Sequence, residues 1–270
     1  MLALTEQNYH SPAANMEYLS VSSYKNYLDC ESMALASDQG KYIRPTSTEC
    51  LVGSYLHAWN AGEVEQFKAN TPDMFSSKGP TKGQPKANFL YADKMIEVLE
   101  KDPICSFMLQ GEKERIITAE MFGTPWKTKI DTYRPTEAIV DLKTTRSIYD
   151  LTWDNFYRCK VSFIEAYQYF IQAAVYCEVE RIAMRRFEHL PFYIVAVSKQ
   201  DPPDKEVISL ADPERIGREL QQIEANTPRI LAIKAGEEKP RSCGRCSYCR
   251  SRKVITDIIS YRDLEGGIAI

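Results

Sequence analysis

The sequence predicts a chain of the α/β class, in the α+β arrangement. Three observations carry that expectation. Three short strand-like runs separated by turn signals lie between residues 115 and 143. A continuous apolar run at 191–198, PFYIVAVS, reads as an interior strand. Helical spacing of apolar residues fills the stretches before, between and after them.

Residues 1–20 read as an extended arm. Ser22 or Ser23 can cap a helix that runs past Tyr24, Tyr27, Leu28 and Met33 to about residue 36, where Asp38-Gln39-Gly40 ends it. A second helix over about 48–60 places Gly53 and His57 one turn apart on one face. The glycine would let another backbone come close, with His57 beside that contact, either as a ligand or as an ordinary structural histidine. The stretch 71–86, TPDMFSSKGPTKGQPK, has no period and reads as a mobile loop. Its Lys78, Lys82 and Lys86 are either solvated or placed to touch phosphates. A helix over about 87–100 buries Phe89, Leu90, Ile96 and Leu99 and stops at Asp102-Pro103.

The meander follows. A strand at 115–121 leads through a Phe122-Gly123 turn to a strand at about 126–133. The turn Arg134-Pro135-Thr136-Glu137 leads to a strand at 138–143, with proline at a favoured turn position. A long helix over about 163–179, the apolar strand, a loop at 199–204 and a charged amphipathic helix over about 210–235 complete the order. In the last helix Ile216, Leu220, Ile223, Ile230 and Ile233 are the apolar positions. No internal repeat is visible.

The chain has 270 residues, 44% hydrophobic and 26% charged, which suits one large domain or one domain with a small appendage. Its net charge of −3 and pI of about 5.8 mean that any nucleic-acid contact must come from a local basic surface. No apolar run is long enough to span a membrane, and the first residues lack a signal peptide's charged start and apolar core. The expectation is a cytoplasmic protein. Its 8 cysteines then read as reduced thiols or metal ligands rather than disulfides.

The chemistry concentrates in the hairpin GTPWKTKIDTYRPTEAIVDLK, residues 123–143. Asp141 and Lys143 share one strand face, and pairing around the turn brings Asp131 to the same edge. Two carboxylates can hold Mg²⁺ or Mn²⁺ with positions open for water and a phosphate oxygen, and a lysine beside them can steady developing anionic charge. The plainer reading is an exposed hairpin with ordinary surface charges. Glu112, Glu114 and Glu120 lie upstream, and any of them could add a metal contact or remain solvated. Thr144 and Arg146, just past the hairpin, are either phosphate contacts or part of a polar loop. Gln172 and Tyr176 share one face of an otherwise apolar helix, with Gln168 one turn earlier, so they need polar partners. Those partners are the hairpin lysine, a metal-bound water, a DNA strand or ordinary buried groups.

A second cluster lies in the tail. Cys243, Cys246 and Cys249 are spaced C-x2-C-x2-C, close enough to ligate one metal, with Cys30 the leading candidate for a fourth thiolate. Iron–sulfur and zinc both fit thiolates. Three reduced thiols in a basic tail are the plainer alternative. Cys50, Cys105, Cys159 and Cys177 read as small core residues.

These parts, in this order, resemble the PD-(D/E)xK nuclease superfamily and its RecB-like branch. The resemblance is carried by SSYKNYLDC at 22–30, GSYLH at 53–57, the strand with Asp131, IVDLK at 139–143 and QAAVY at 172–176. Within the branch the chain is similar to phage and prophage exonucleases of the exonuclease VIII (RecE) type, over about residues 16–255. The resemblance implies a restriction-endonuclease-like core, with a central mixed sheet flanked by helices. It implies one nuclease domain over 1–270: an arm at 1–20, a helical part at 21–110, a catalytic core at 111–205, and a helix with the cysteine cluster at 206–270. It assigns Asp131 and Asp141 to the divalent metal, Lys143 to the water, and Gln172 and Tyr176 to support of the site or DNA contact. His57 falls where RecB-like nucleases place a metal-contacting histidine. Cys30 with Cys243, Cys246 and Cys249 resembles the iron–sulfur staple of related enzymes, with a shorter last spacing. The implied activity is metal-dependent, processive 5′→3′ digestion of double-stranded DNA ends for a single-strand annealing partner, by a homo-oligomer. Competing readings are an endonuclease on the same fold, an inactive DNA-end-binding protein and a zinc-stabilised interaction module.

Overall fold

The computed structural model describes residues 2–154 and 158–262. Six short and medium helices precede the sheet's entry: α1 (Pro12–Glu17), α2 (Val21–Asp29), α3 (Glu31–Asp38), α4 (Thr48–Ala61), α5 (Val64–Asn70) and α6 (Ala87–Lys101). α7 (Pro103–Met108) then leads into an antiparallel meander of β1 (Glu112–Met121), β2 (Thr124–Arg134) and β3 (Ala138–Thr145). A separate small hairpin follows, β4 (Thr152–Asp154) with β5 (Cys159–Val161). α8 (Phe163–Ala166) and α9 (Tyr169–Ala183) cross over to β6 (Phe192–Ser198), which lies parallel to β3. β7 (Lys205–Ser209) closes the sheet antiparallel to β6, and α10 (Pro213–Ala235) and α11 (Ser247–Ser251) follow it among the described residues. The five-stranded sheet has the order β1-β2-β3-β6-β7, so it is mixed and flanked by helices, as expected.

Turn chemistry sets the meander. Phe122 and Gly123 both have positive φ, 54° and 76°, which is the geometry of a type I′ hairpin. In the second turn Thr136 has φ 70°, the positive value that follows proline in a type II turn, and the Glu137 N–H donates to the Arg134 carbonyl at 3.0 Å.

β3 is interior and buried on both faces, which is why it reads as an apolar run. Its alternation splits the core. Ile139 packs with α9 and α10 residues such as Val175, Val179 and Ile223. Ala138, Val140 and Leu142 pack on the opposite side with Val52, Leu56, Met95 and Leu99 of α4 and α6. Asp141 and Lys143 therefore share the face of Ile139, toward α9.

Several expectations are corrected. Residues 2–20 are not an extended arm: they contain α1, bury Tyr9, Tyr18 and Leu19, and bridge Leu19 to Trp126 of β2. The helix expected to run from Ser22 to about 36 breaks at Cys30, whose extended backbone ends α2 and starts α3. The helix expected over 163–179 breaks at Gln168, which adopts φ 53°. Leu90 is half exposed, because the apolar face of α6 is set by Phe89, Ala92, Ile96 and Leu99. The loop 71–86 has its own order, with Ser76 N–H on Gln84 O at 2.9 Å and Gly83 N–H on Ser76 O at 2.8 Å. β7 has no counterpart in the sequence reading. Gly53 admits no close backbone: a Cβ there would meet only the Thr144 hydroxyl at 3.5 Å, an ordinary contact. Cys50 and Cys159 are exposed rather than in the core, unlike Cys105 and Cys177.

Candidate active site

The site forms where β2 and β3 part. Their ladder ends at Thr132↔Val140, so Asp131 and Asp141 stand opposite each other one step beyond it. The Asp131 carboxylate takes over there, accepting the Leu142 N–H on Oδ2 at 2.8 Å. On the other side of β2 the register pairs Lys113 with Thr132 and Arg115 with Ile130. Glu114 thus falls opposite Asp131, with its own backbone distorted to φ 51°. Three acids lie in one row across three strands.

Helices bring the remaining groups. His57, on α4, points Nδ1 at Asp131 Oδ2 at 3.2 Å. Ligand atoms of His57, Glu114 and Asp131 all lie within 4.8 Å of one another. Two carboxylate oxygens and an imidazole nitrogen suit a divalent cation that accepts oxygen ligands, so the donor set fits. Asp141 stands outside that triple: its Oδ1 accepts from Gln172 Nε2 at 2.6 Å, and its Oδ2 lies 2.6 Å from Lys143 Nζ. Gln172 is buried on α9 and its amide orients the Asp141 carboxylate.

The electrostatics follow from burial and pairing. Burial works against charge on Asp131, but His57, Lys143 and the Leu142 N–H hold it below the usual carboxylate range. Burial pushes Asp141 up, and Asp131 adds to this against the pull of Lys143. Burial opposes charge on Lys143 too, yet Asp141 and Asp131 outweigh it and keep the ammonium protonated. His57 is raised above its usual value because Asp131 outweighs burial.

His57, Glu114, Asp131 and Gln172 edge a cleft of about 560 Å³, whose walls include Tyr9, His10, Lys25, Lys129 and Tyr176. Tyr176 spends its hydroxyl on the Lys129 carbonyl at 3.0 Å, so it braces α9 against β2 rather than reaching Asp141. Thr144 is half-buried beside Gly53, and Arg146 is exposed. Lys78 and Lys82 are exposed on their loop and are not among the residues lining the cleft, so the structure does not bring them to the site. In the sequence Glu112, Glu114 and Glu120 are equivalent candidates. Counting back from the Phe122-Gly123 turn would have chosen Glu114, since Met121 opposite Thr124 puts residue 114 opposite 131.

The tail cysteines do meet Cys30. The four Sγ atoms lie within 4.8 Å of one another, with Cys30–Cys249 at 3.6 Å and Cys243–Cys249 at 4.0 Å. Backbone N–H groups of Cys243, Cys246 and Cys249 point at the sulfurs of Cys30, Cys243 and Cys246. Cys243 has its pKa lowered to about 6: burial opposes this, but the N–H groups of Arg245 and Cys246 outweigh it.

A mixed sheet with acids in register across its strands, a D-x-K end to β3 and a helix glutamine on its aspartate define the PD-(D/E)xK type of nuclease fold. The chain belongs to the family described as PDDEXK-like domain of unknown function (DUF3799), which it matches over residues 20–252. It is similar to a crystal structure from Eubacterium rectale named "putative exonuclease", with TM-score 0.91 and 39% identity over 99% of this chain and 100% of that one. A second solved structure, SSO0001, aligns over 77% of this chain and 87% of that one with TM-score 0.29 and 14% identity, too slight a likeness to carry weight. No curated protein matches the chain. Among the described residues, no helix is long and apolar enough to cross a membrane.

Proposed function

We propose that this protein is a divalent-metal-dependent deoxyribonuclease that works from the ends of duplex DNA. The observation that carries the reading is the row Glu114–Asp131–Asp141 with Lys143 on the face of Asp141. The family and the structural neighbour's name support a nuclease. The finer reading is 5′→3′ resection of the exonuclease VIII (RecE) kind, feeding prophage recombination through a single-strand annealing protein. That polarity, the partner and a homo-oligomer rest on the sequence resemblance.

His57, Glu114 and Asp131 would hold the cation, Mg²⁺ or Mn²⁺, whereas Asp141, which the resemblance assigns to the metal, is engaged by Gln172 and Lys143. Bound there, it would supply an activated water and neutralise phosphate charge. The protein's own groups do the rest. Gln172 fixes the rotamer of Asp141, and Asp141 holds Lys143. The Lys143 ammonium stays protonated beside Asp141 and steadies the anionic charge that grows on the phosphate oxygens. Tyr176 locks α9, and with it Gln172, against β2.

The test uses linear duplex DNA labelled at each 5′ end, with Mg²⁺ and with EDTA. Wild type should release 5′ nucleotides only with metal. Lys143→Ala and Asp141→Ala should each lose about 10²–10³-fold in rate, the scale of removing one preorganised charge partner. Wild type that binds ends without turnover under either Mg²⁺ or Mn²⁺ would mark an inactive end-binding protein. Cutting of covalently closed circles would mark an endonuclease.

We further read Cys30, Cys243, Cys246 and Cys249 as one structural ion. Their spacings suit a single tetrahedral zinc, whose sulfurs sit about 3.8 Å apart at a Zn–S distance of ~2.3 Å. A [4Fe–4S] cluster, which the sequence resemblance implies, is the second reading. Metal analysis and visible absorbance of the purified protein separate them.

A further inference from the structure

One wall of the cleft carries a cation that the site's chemistry leaves unused. α2 presents Ser22 and Lys25 one turn apart, and both line the cleft. The Lys25 ammonium donates to the Tyr167 carbonyl at 2.9 Å and forms no ion pair among the described residues. An ammonium has three N–H donors, so two are uncommitted there. The neighbouring lysines are spent: Lys129 on Glu114, Lys127 on the Tyr9 carbonyl and Asn15, Lys143 on Asp141. Lys25 Nζ lies 5.6 Å from the centroid of the Tyr169 ring, and Lys143 Nζ lies 5.3 Å from the same centroid. One aromatic ring thus serves two ammonium groups. Burial, and the charge of Lys143 after it, push the pKa of Lys25 down to about 8. Two half-desolvated cations around one ring are an arrangement that an incoming anion relieves.

We propose that Lys25, with Ser22 one turn away on α2, is a second phosphate subsite that receives the phosphodiester next to the scissile one on the same strand. The inference rests on the nuclease reading and deepens it. Lys143, tied to Asp141, serves the scissile phosphate, and Lys25 across the Tyr169 ring holds the strand in register with it.

The experiment measures fluorescence anisotropy of end-labelled duplex in EDTA, where no turnover occurs, over a salt series. Lys25→Gln and Lys25→Arg are compared with wild type. Both side chains can still donate to the Tyr167 carbonyl, but only arginine keeps the charge. Lys25→Gln should weaken binding by about tenfold, as loss of a charge-assisted hydrogen bond does. It should also lower the slope of log K against log salt by about one, whereas Lys25→Arg should keep it. With metal, KM should rise and kcat stay near wild type. A neutral methylphosphonate at the neighbouring phosphate should weaken wild type and leave Lys25→Gln unchanged. Thermal melting of both variants excludes a folding loss as the cause. A Lys25→Gln protein with wild-type affinity and salt slope overturns the subsite while leaving the nuclease reading intact. Wild type that binds no DNA overturns both.

Discussion

Glu112, Glu114 and Glu120 look alike in the sequence, and strand register alone separates them. Glu112 pairs opposite Tyr133 and lies 3.6 Å from Arg115, while Glu120 sits opposite Pro125 and is exposed. Only Glu114 falls opposite Asp131, where it meets His57. Glu114→Gln keeps the shape and removes the charge. It should weaken Mn²⁺ binding by at least about tenfold, a scale that even partners outside the ligand set reach. Calorimetric titration of wild type and variant with Mn²⁺ checks this, and an unchanged affinity would remove Glu114 from the ligand set. Lys127 shows the opposite use of a charged residue. It is 1% exposed and closes the N-terminal segment onto β2 by donating to the Tyr9 carbonyl and to Asn15 Oδ1 at 2.7 Å. Burial pushes its pKa down to about 8.

At the scale of elements, α9 decides whether the site exists, because it carries Gln172 onto Asp141. Its far end is held by a buried network. Glu180 is fully buried and accepts from Arg186 Nε at 2.8 and 3.1 Å and from the Tyr133 hydroxyl at 2.7 Å. Arg186→Ala leaves that carboxylate without its counter-charge and should cost about 3 kcal/mol in denaturant unfolding. A loss under 1 kcal/mol would mean that Tyr133 and water suffice. Glu178, one turn before Arg181, accepts from Arg181 at 2.7 and 2.8 Å and contacts His189 at 2.7 Å. Burial opposes its charge, but these partners lower its pKa from 4.5 to about 2. The folded value lies below the unfolded one, so this stabilisation is complete above pH 4.5 and is lost as pH falls toward 2. Wild type should therefore be more stable than Glu178→Gln at pH 7, and the gap should close between pH 4.5 and 2. Parallel melting curves across that range test it, and a constant gap would refute the linkage.

Across the whole molecule, the N-terminal helices and the C-terminal cysteine segment are tied to each other at α3. Arg229 of α10 pairs with Glu31 at 2.6 and 2.8 Å, and the Arg241 N–H donates to the same carboxylate at 2.6 Å. Beside them Cys30 meets the tail cysteines. An ion there would close the long stretch from Cys30 to Cys249 into one loop, and a longer closed loop restricts the unfolded state more. Stripping that ion with a chelator, or Cys30→Ser, should lower Tm by roughly 5–10 °C. Cys50→Ser, an exposed thiol outside the cluster, should leave Tm unchanged. A Tm indifferent to both treatments would mean that the four thiols hold nothing. The local pattern of the sequence sufficed for the meander, the apolar β6, α4, α6 and α10, and for Asp131, Asp141, Lys143 and Gln172 as candidates. Apolar period and turn residues act over a few positions, and a D-x-K ending leaves its mark within one strand. Only the tertiary structure decided that Glu114 is the acid opposite Asp131, that residues 2–20 form a wall of the cleft and that Tyr176 spends its hydroxyl on Lys129. It also set the breaks at Cys30 and Gln168 and left Lys25 without an ion pair among the described residues. Each of these depends on which distant backbone or side chain arrives, and hydrogen bonds and charges find their partners by register and packing across the sheet, which no short window of sequence contains.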